Sequence, residues 1–287
     1  MKITGYSTAL FSTWFYVEEL GVLFDAGDGV TASLMHKSGS IKHVFISHAD
    51  RDHLTGLLQF LQLNARQGYP KIYYPSGCGT FPALEEFTQK FDPHVDSVEW
   101  IPMEDGSEFR INNDYYVTAF RNGHVQASEG VTKSLSFIVE KRKRKLKPEF
   151  ASLTGAEIGQ LRKENGEDFI TDVVTEKVLG YSGDTPVENP DVWKDVQGLI
   201  HESTFLHKGD VEPKGNRHSS VEEVFNMAKE LDLEFLVLSH FSSRYKKPEI
   251  FEEVVSHIKS LEISCPLYLI PPGEIVRDVL SASPVTV

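Results

Sequence analysis

Short runs of β-branched and aromatic residues alternate with polar, glycine-containing turns along the chain. Such runs predict β-strands, because these side chains suit a pleated and partly buried surface. The chain reads as alternating strand from its first residues onward. Further strands are predicted at 13–17, 22–25, 43–47, 71–75, 97–101, 107–111, 115–120, 134–140, 178–182, 196–202, 235–240 and 266–270.

Other segments carry apolar residues at helical spacing. In 54–67, several leucines and Phe60 form a broad apolar side. Three more helices are predicted at 81–91, 219–231 and 248–261. Segment 141–175 is poorly patterned and is expected to hold a helix around 155–164. Strands alternating with helices predict two sheets with helices outside, an α/β sandwich in one domain.

The bulk composition is that of a globular protein, with 287 residues of which 40% are hydrophobic and 25% charged. No apolar run approaches the roughly 20 residues needed to span a bilayer. The first twenty residues lack the unbroken apolar core of a signal peptide, so we expect a cytoplasmic protein. Cys78 and Cys265 stand apart from one another and from histidines, which predicts two reduced thiols rather than a cysteine-based zinc site.

The charge is unevenly distributed. A net charge of −13 argues against a general nucleic-acid binder. Residues 141–163, however, carry eight basic and two acidic residues, which leaves a net charge of −19 on the remainder. This segment either binds RNA phosphates by charge or is a solvated, charged strand end. Its candidate RNA-binding residues are Lys141, Arg142, Lys143, Arg144, Lys145 and Lys147.

Histidines and acidic residues follow the ends of several predicted strands. One block offers four potential ligands, His48, Asp50, Asp52 and His53. Later strands end near His124, Asp184, Glu202 and His240. Rigid strands aim loop residues at one crevice, so we expect these side chains to meet. So many ligands exceed the needs of one tetrahedral ion and suit two ions that share a bridging carboxylate.

Each of these residues taken singly has an ordinary structural explanation. The block 48–53 could be a polar turn that caps a helix, and Asp184 a simple turn residue. His124 and His240 could be surface or hydrogen-bonded histidines without a ligand role. The metal hypothesis depends on their occurring together, at strand ends and in this order.

The block SHADRDHLTGL resembles the metallo-β-lactamase signature His-x-His-x-Asp-His followed by a helix. LFDAGDG resembles the Asp-x-Gly turn that precedes this signature. His124, Asp184 within GYSGDT, and His240 resemble the later ligands of the superfamily. The resemblance runs from about residue 1 to 272 and implies an α/β (α+β) protein of four αββα layers, with two mixed sheets between helices.

Two further loops resemble those of ribonuclease Z, the endonuclease that trims tRNA 3′ ends. The sequence HEST at 201–204 is similar to its HEAT loop, and HSS at 218–220 to its HST loop. The stretch KLKPEFASLTGAEIGQLRKENGEDF is similar to a short bacterial arm at about 141–175. The resemblance implies a tRNA precursor as substrate and a homodimer. It also implies two divalent ions, with zinc as the metal that the family resemblance suggests.

The resemblance also implies a role for each candidate residue. One ion would bind His48, Asp50 and His124, and the other would bind Asp52, His53 and His240, with Asp184 bridging. A hydroxide held by the ions would attack phosphorus, and Asp52 could orient it. Glu202 could keep His218 protonated, so that His218 donates a proton to the leaving ribose oxygen.

The sequence departs from the ribonuclease Z pattern at two places. Position 50 is Asp where the family has His, which should favour manganese or iron over zinc and could retune or abolish activity. The arm lacks the Gly-Pro sequence of the family's protruding exosite. Two other functions therefore compete with pre-tRNA cleavage: hydrolysis of a small phosphodiester or cyclic nucleotide, and RNA binding without catalysis.

Overall fold

The computed structural model describes residues 1–210, 217–261 and 263–286, and their strands form two sheets. The first sheet has six strands in sequence order, with β1 to β3 antiparallel and β3 to β6 parallel. Its strands are β1 (Ile3–Thr8), β2 (Ser12–Val17), β3 (Val22–Phe24), β4 (His43–Phe45), β5 (Lys71–Pro75) and β6 (Glu99–Met103).

The second sheet has seven strands and is also mixed. Its order is β13-β12-β11-β10-β9-β8-β7, with β10 to β13 parallel and β7 to β10 antiparallel. Its strands are β7 (Glu108–Arg110), β8 (Tyr115–Arg121), β9 (Leu135–Leu146), β10 (Thr171–Tyr181), β11 (Gly198–Glu202), β12 (Phe235–Ser239) and β13 (Leu267–Leu269).

Helices cover the outer face of each sheet. The first sheet packs against α1 (Val30–Leu34), α2 (Arg51–Leu54), α3 (Leu57–Asn64) and α4 (Thr80–Phe91). The second packs against α7 (Val221–Ala228) and α8 (Lys247–Leu261). Two further helices, α5 (Gly155–Asn165) and α6 (Glu167–Ile170), follow β9. The predicted helices at 81–91, 219–231, 248–261 and around 155–164 thus correspond to α4, α7, α8 and α5.

The alternation of side chains along β2 shows how the layers form. Phe15 and Val17 face the second sheet, whereas Trp14 and Tyr16 face the helices. Because neighbouring side chains of a strand point to opposite faces, a strand apolar at every position must be covered on both sides. Burial on both sides produces four layers, helix, sheet, sheet and helix, which confirms the fold class expected from the sequence.

The helix predicted at 54–67 is interrupted. Helix α2 ends at Leu54 and α3 starts at Leu57, so the single long helix was wrong. Gly56 lies against the turn after β3, where its N–H donates to the carbonyl of Ala26 at 2.8 Å. A Cβ at position 56 would lie 2.2 Å from the carbonyl oxygen of Gly27. This close packing of backbone on backbone is a tertiary contact that apolar periodicity does not report.

The basic segment forms an extended ribbon. Strand β9 continues to Leu146, and residues 141–146 pair with residues 171–176 of β10. The strand predicted at 134–140 was therefore too short, and β10 starts well before the predicted 178. Charged residues on both faces of a solvent-exposed ribbon produce no alternation of apolar and polar positions. The helix α5 begins at a capping box of Thr154 and Glu157.

The two cysteines remain separate. Cys78 is buried and Cys265 is half-buried, and both are free thiols. In the described part of the chain, no helix has the length and apolar character to cross a membrane.

Candidate metal centre

Acidic and histidine side chains converge at one edge of the two sheets. Most belong to loops that follow strands, whereas Asp52 and His53 lie in the short helix α2 after β4. Parallel neighbours such as β10, β11 and β12 end at the same edge. The structure gathers here every predicted ligand, namely His48, Asp50, Asp52, His53, His124, Asp184 and His240. It also brings Glu202 and His218 to the same place.

The first cluster contains His48, Asp50 and His124. Asp50 Oδ2 lies 3.6 Å from His48 Nε2 and 3.5 Å from His124 Nε2. Asp50 is also the residue before helix α2, but its side chain makes no capping hydrogen bond. The carboxylate therefore faces the two imidazoles and does not cap the helix, which argues against the ordinary explanation of this block.

The second cluster contains Asp52, His53 and His240. Asp52 Oδ2 lies 3.6 Å from His53 Nε2 and 3.4 Å from His240 Nε2. His240 follows β12 with a φ of 61°, a left-handed conformation that costs free energy in a residue with a side chain. Such strain is typical of residues whose side chain is held in place for a function.

Asp184 lies between the two clusters. Its Oδ2 is 3.3 Å from both His53 Nε2 and His240 Nε2, and 3.7 Å from His48 Nε2. Burial alone would raise the pKa of Asp184, but the charges of His240 and His53 hold it well below its usual range. A single buried, ionised carboxylate thus contacts imidazoles of both clusters.

The buried imidazole nitrogens indicate what the centre is built to hold. Among the described residues, Nε2 of His48 and Nε2 of His53 are buried without a hydrogen-bond partner. An unpartnered buried polar atom costs about 1–3 kcal/mol. Burial alone would lower the pKa of His53, but the carboxylates of Asp184 and Asp25 raise it well above its usual value. Buried imidazole nitrogens without hydrogen bonds, surrounded by carboxylates that attract positive charge, fit divalent cations. The residues present therefore suit two metal ions.

The opposite ring nitrogen of each histidine is bonded to the protein. His53 Nδ1 lies 2.7 Å from Asp25 Oδ2, and His48 Nδ1 lies 2.9 Å from Ser47 Oγ. His240 Nδ1 lies 2.9 Å from Thr204 Oγ1, and His124 Nδ1 lies 3.1 Å from the carbonyl of Arg217. The Ser47 and Thr204 hydroxyls donate their own protons to Asp25 and Glu202, so all four partners accept from the rings. The proton is thus assigned to Nδ1, and each Nε2 is left free to bind a cation.

Asp25 is the residue of this network whose role sequence reasoning missed. It is fully buried and accepts hydrogen bonds from the Ser47 amide and hydroxyl, from His53 and from the Tyr181 hydroxyl. The turn LFDAGDG was noticed for its resemblance, but no function was assigned to it. The signal was an aspartate directly after a buried strand and before a glycine turn.

Glu202 and His218 form a second functional pair. His218 Nδ1 lies 2.9 Å from Glu202 Oε1 and 3.9 Å from Asp184 Oδ2. Glu202 is buried and also accepts the amides of Thr185, Thr204 and Ser219. Burial by itself would lower the pKa of His218, but the charge and hydrogen bond of Glu202 raise it to about 9. His218 is therefore protonated at neutral pH and can donate a proton beside the clusters.

The candidate RNA-binding residues lie away from this centre, along the ribbon. The amide of Leu135, the first residue of β9, donates to the carbonyl of Ser47. At about 3.4 Å per residue, Lys143 then lies roughly 25–30 Å farther along the strand. Residues 141, 143 and 145 share one face of the ribbon, and residues 142 and 144 the other.

The two arginines of the ribbon already have acidic partners. Arg142 forms ion pairs with Glu108 and Glu140, and Arg144 with Asp168. Across the described residues, the ion pairs of 141–147 are all made by the arginines, and none of its lysines forms one. The free positive charge of the segment is thus carried by lysines, a distinction that composition could not make.

Comparison with known proteins agrees with this geometry. Residues 21–147 match a beta-lactamase superfamily domain. The tRNase Z TRZ1 of Arabidopsis thaliana is 31% identical over 265 residues, which cover 88% of this chain and 89% of the relative. The chain belongs to the ribonuclease Z family. A ribonuclease Z of Staphylococcus saprophyticus is 26% identical, over 89% of this chain and 87% of the relative.

Solved structures share the fold of this ribonuclease Z family member. The human tRNase Z, short form, superposes with a TM-score of 0.59 at 20% identity, over 97% of this chain and 99% of that chain. The metallo-beta-lactamase fold protein YhfI of Bacillus subtilis gives a TM-score of 0.63 at 15% identity, over 96% and 98%. The metallo-β-lactamase fold and a hydrolase of the ribonuclease Z family, both expected from the sequence, are therefore confirmed.

Proposed function

We propose that this protein is a metal-dependent endoribonuclease that hydrolyses the phosphodiester joining the 3′ trailer to a tRNA precursor. One observation carries the proposal: two three-residue clusters meet at Asp184, with the protonated His218 at their side. Phosphodiester hydrolysis needs a cationic environment for the attacked phosphate and a proton for the leaving oxygen. Relatives named tRNase Z and ribonuclease Z support the choice of RNA as substrate.

In this proposal each cluster holds one divalent ion. His48, Asp50 and His124 form one site, Asp52, His53 and His240 the other, and Asp184 belongs to both. Bound there, the ions would supply Lewis acidity to the phosphate and lower the pKa of the attacking water. The resemblance to ribonuclease Z suggests zinc, whereas the carboxylate at position 50 favours a harder ion such as manganese or iron.

Three residues of the chain move or hold protons. His218 donates its proton to the ribose oxygen that leaves, and Glu202 stabilises its charged form through the 2.9 Å hydrogen bond. Asp52 accepts the amide of Leu10 at 3.0 Å, which fixes its carboxylate as a ligand and as an acceptor that orients the attacking water. The strained Leu10, with a φ of 69°, directs this amide at the centre.

The ribbon is proposed to bind the tRNA body by charge. Its lysines lie far from the clusters, so they act on binding of a large RNA and not on the reaction itself. We also propose a homodimer, in which the ribbon of one subunit binds the RNA that is cleaved at the centre of the other. A cytoplasmic location completes the proposal. Both come from the resemblance and from the sequence.

The deciding experiment combines metal analysis with cleavage of a precursor tRNA that carries a 3′ trailer. The proposal expects two ions per chain and a cut at the trailer junction. Hydrolysis of cyclic nucleotides alone would identify a small-phosphodiester hydrolase. RNA binding without cleavage, with zinc, manganese or iron supplied, would identify a catalytically inactive RNA-binding protein. Either result would overturn the proposed reaction.

Replacing Asp50 by histidine should change the metal preference. The side chain of Asp50 is 60% exposed, so an imidazole can take its place without overpacking. Imidazole is a softer, neutral donor, so Asp50→His should raise zinc occupancy relative to manganese. Asp50→Ala should weaken the site of His48 and His124 and leave the second site occupied.

The measurement is elemental analysis after loading each variant with an equimolar mixture of zinc and manganese. Exposed Asp28, near the start of α1, provides the control substitution Asp28→Ala. An unchanged zinc-to-manganese ratio in Asp50→His would mean that Asp50 is not a ligand.

Removing the free lysines of the ribbon should weaken tRNA binding. We expect replacement of Lys143, Lys145 and Lys147 by alanine to flatten the salt dependence of the affinity. The slope of log K against log salt should fall by about 0.7–0.9 for each lost phosphate contact. The matched variant replaces Arg142 and Arg144, whose charges are already balanced by acidic partners, and should change the slope less.

Hydrolysis of bis-p-nitrophenyl phosphate should stay within about twofold in both ribbon variants, because the ribbon is remote from the reacting phosphate. Equal slopes in the parent and in the lysine variant would show that the ribbon is only a solvated surface.

A further inference from the structure

Arg217 forms hydrogen bonds with two consecutive residues of the loop that carries His124. Its guanidinium Nη1 donates to the carbonyl of Gly123. Its own carbonyl accepts the Nδ1 proton of His124, with 3.1 Å between nitrogen and oxygen. One residue thus bonds the backbone before the ligand and the ring of the ligand itself.

The second of these bonds determines which ring nitrogen of His124 is available. A carbonyl can only accept, so Nδ1 must carry the proton and Nε2 keeps its lone pair. Nε2 is the atom that lies 3.5 Å from Asp50 Oδ2. The position of residue 217 therefore governs both the tautomer and the direction of this imidazole.

A third loop, which carries Glu188, also contacts Arg217 and Gly123. Glu188, which follows the Asp184 loop, has Oε1 3.8 Å from Arg217 Nη1. Its Oε2 lies so close to Gly123 that a Cβ there would approach it to 1.9 Å. Position 123 is therefore enclosed by Glu188 and bonded by Arg217. The loops of Asp184, His124 and His218 meet at this point.

Arg217 also precedes His218 directly in the chain. The imidazole rings of His124 and His218 have centroids 4.9 Å apart. A displacement of residue 217 would move the acceptor of His124 and the backbone of His218 together. The spacing between a metal ligand and the proton donor thus depends on one side chain, whose guanidinium bonds Gly123 and pairs with Glu188.

We propose that Arg217 is a positioning residue that orients His124 as a metal ligand and sets its spacing from His218. The inference rests on the metal ligands of the proposed function and adds a residue that acts through them. Residues that orient a ligand in this way commonly change metal affinity by 10–100-fold when replaced.

The test is a titration of the metal-free protein with zinc against a chromophoric chelator, which requires no RNA and no turnover. In Arg217→Met, one of the two zinc sites should weaken by about 10–100-fold while the other changes by less than about threefold. Arg217→Lys keeps a donor for the Gly123 carbonyl and should recover part of the loss. Melting of the metal-free variants checks that each is folded.

Arg121→Met is the matched control. The Arg121 guanidinium donates to the carbonyl of Ala127, in the same loop as His124, whereas the His124 ring is bonded to residue 217. Its zinc titration should equal that of the parent. An equal loss in Arg121→Met, an equal loss at both sites in Arg217→Met, or an unchanged Arg217→Met titration would each overturn the inference.

The outcomes also separate this inference from the proposed function. A parent protein that binds no zinc would overturn both together. A parent that binds two ions, with an unchanged titration in Arg217→Met, would overturn the positioning role alone. A selective loss of one site would support it even if the parent cleaved no tRNA precursor.

Discussion

Replacing Asp184 by alanine should remove both metal ions and reduce hydrolysis of every phosphodiester by at least about 10³-fold, since ion-based charge stabilisation is worth several kcal/mol. Asp184 Oδ2 lies within 3.7 Å of imidazoles from both clusters. Among the described residues, Asp50 pairs with imidazoles of the first cluster and Asp52 with imidazoles of the second. Elemental analysis and rates on bis-p-nitrophenyl phosphate measure the two effects.

Asp28→Ala provides the control, because Asp28 is exposed and belongs to neither cluster. It should keep both ions and the parent rate. Retention of two ions in Asp184→Ala would contradict the bridging role. The two clusters would then have to hold their ions independently.

Replacing His218 by alanine should lower kcat for the tRNA precursor by about 10²–10⁴-fold, the range expected for loss of a general acid. The metal content should not change, because His218 Nδ1 is bonded to Glu202 and Nδ1 of His240 is held by Thr204. The ratio kcat/KM should fall with kcat, since the proton is transferred only in the transition state.

A substrate with a good leaving group separates this role from a structural one. Bis-p-nitrophenyl phosphate releases an anion that needs no proton, so its hydrolysis should be far less sensitive to His218→Ala. His218→Asn keeps a donor for Glu202 but cannot release a proton, and should be as slow as the alanine variant on RNA. Equal losses on both substrates would contradict the general-acid role.

The pH dependence should follow the same logic. The acid form of His218 is lost as the pH rises through its pKa of about 9, so RNA cleavage by the parent should decline on the alkaline side. His218→Ala should lack this decline. The predictions for Asp184→Ala and His218→Ala together distinguish two kinds of failure. A failure to hold ions affects both substrates, whereas a failure to protonate the leaving oxygen affects RNA alone.

Local sequence patterns were sufficient for the fold class and for picking out the candidate ligands that the structure brings together. Alternation of strands with amphipathic helices is a property of neighbouring residues, so it predicted two sheets between helices. The candidate ligands were recognisable because chemically distinctive side chains follow apolar strands, as Asp184 follows β10 and His240 follows β12. A strand directs the residues after it to one edge, and this holds before the order of the strands is known.

The tertiary structure alone decided how these residues act together. Asp25 bonds His53 across 28 positions of the chain, and Arg217 reaches Gly123 across 94. Such contacts depend on strand pairing and loop packing, which local propensity does not encode. For the same reason the break at Gly56 and the length of the basic ribbon were misjudged. The sequence determined which chemical groups are present at the centre, and the packing of distant loops determined which nitrogen and which oxygen face each other.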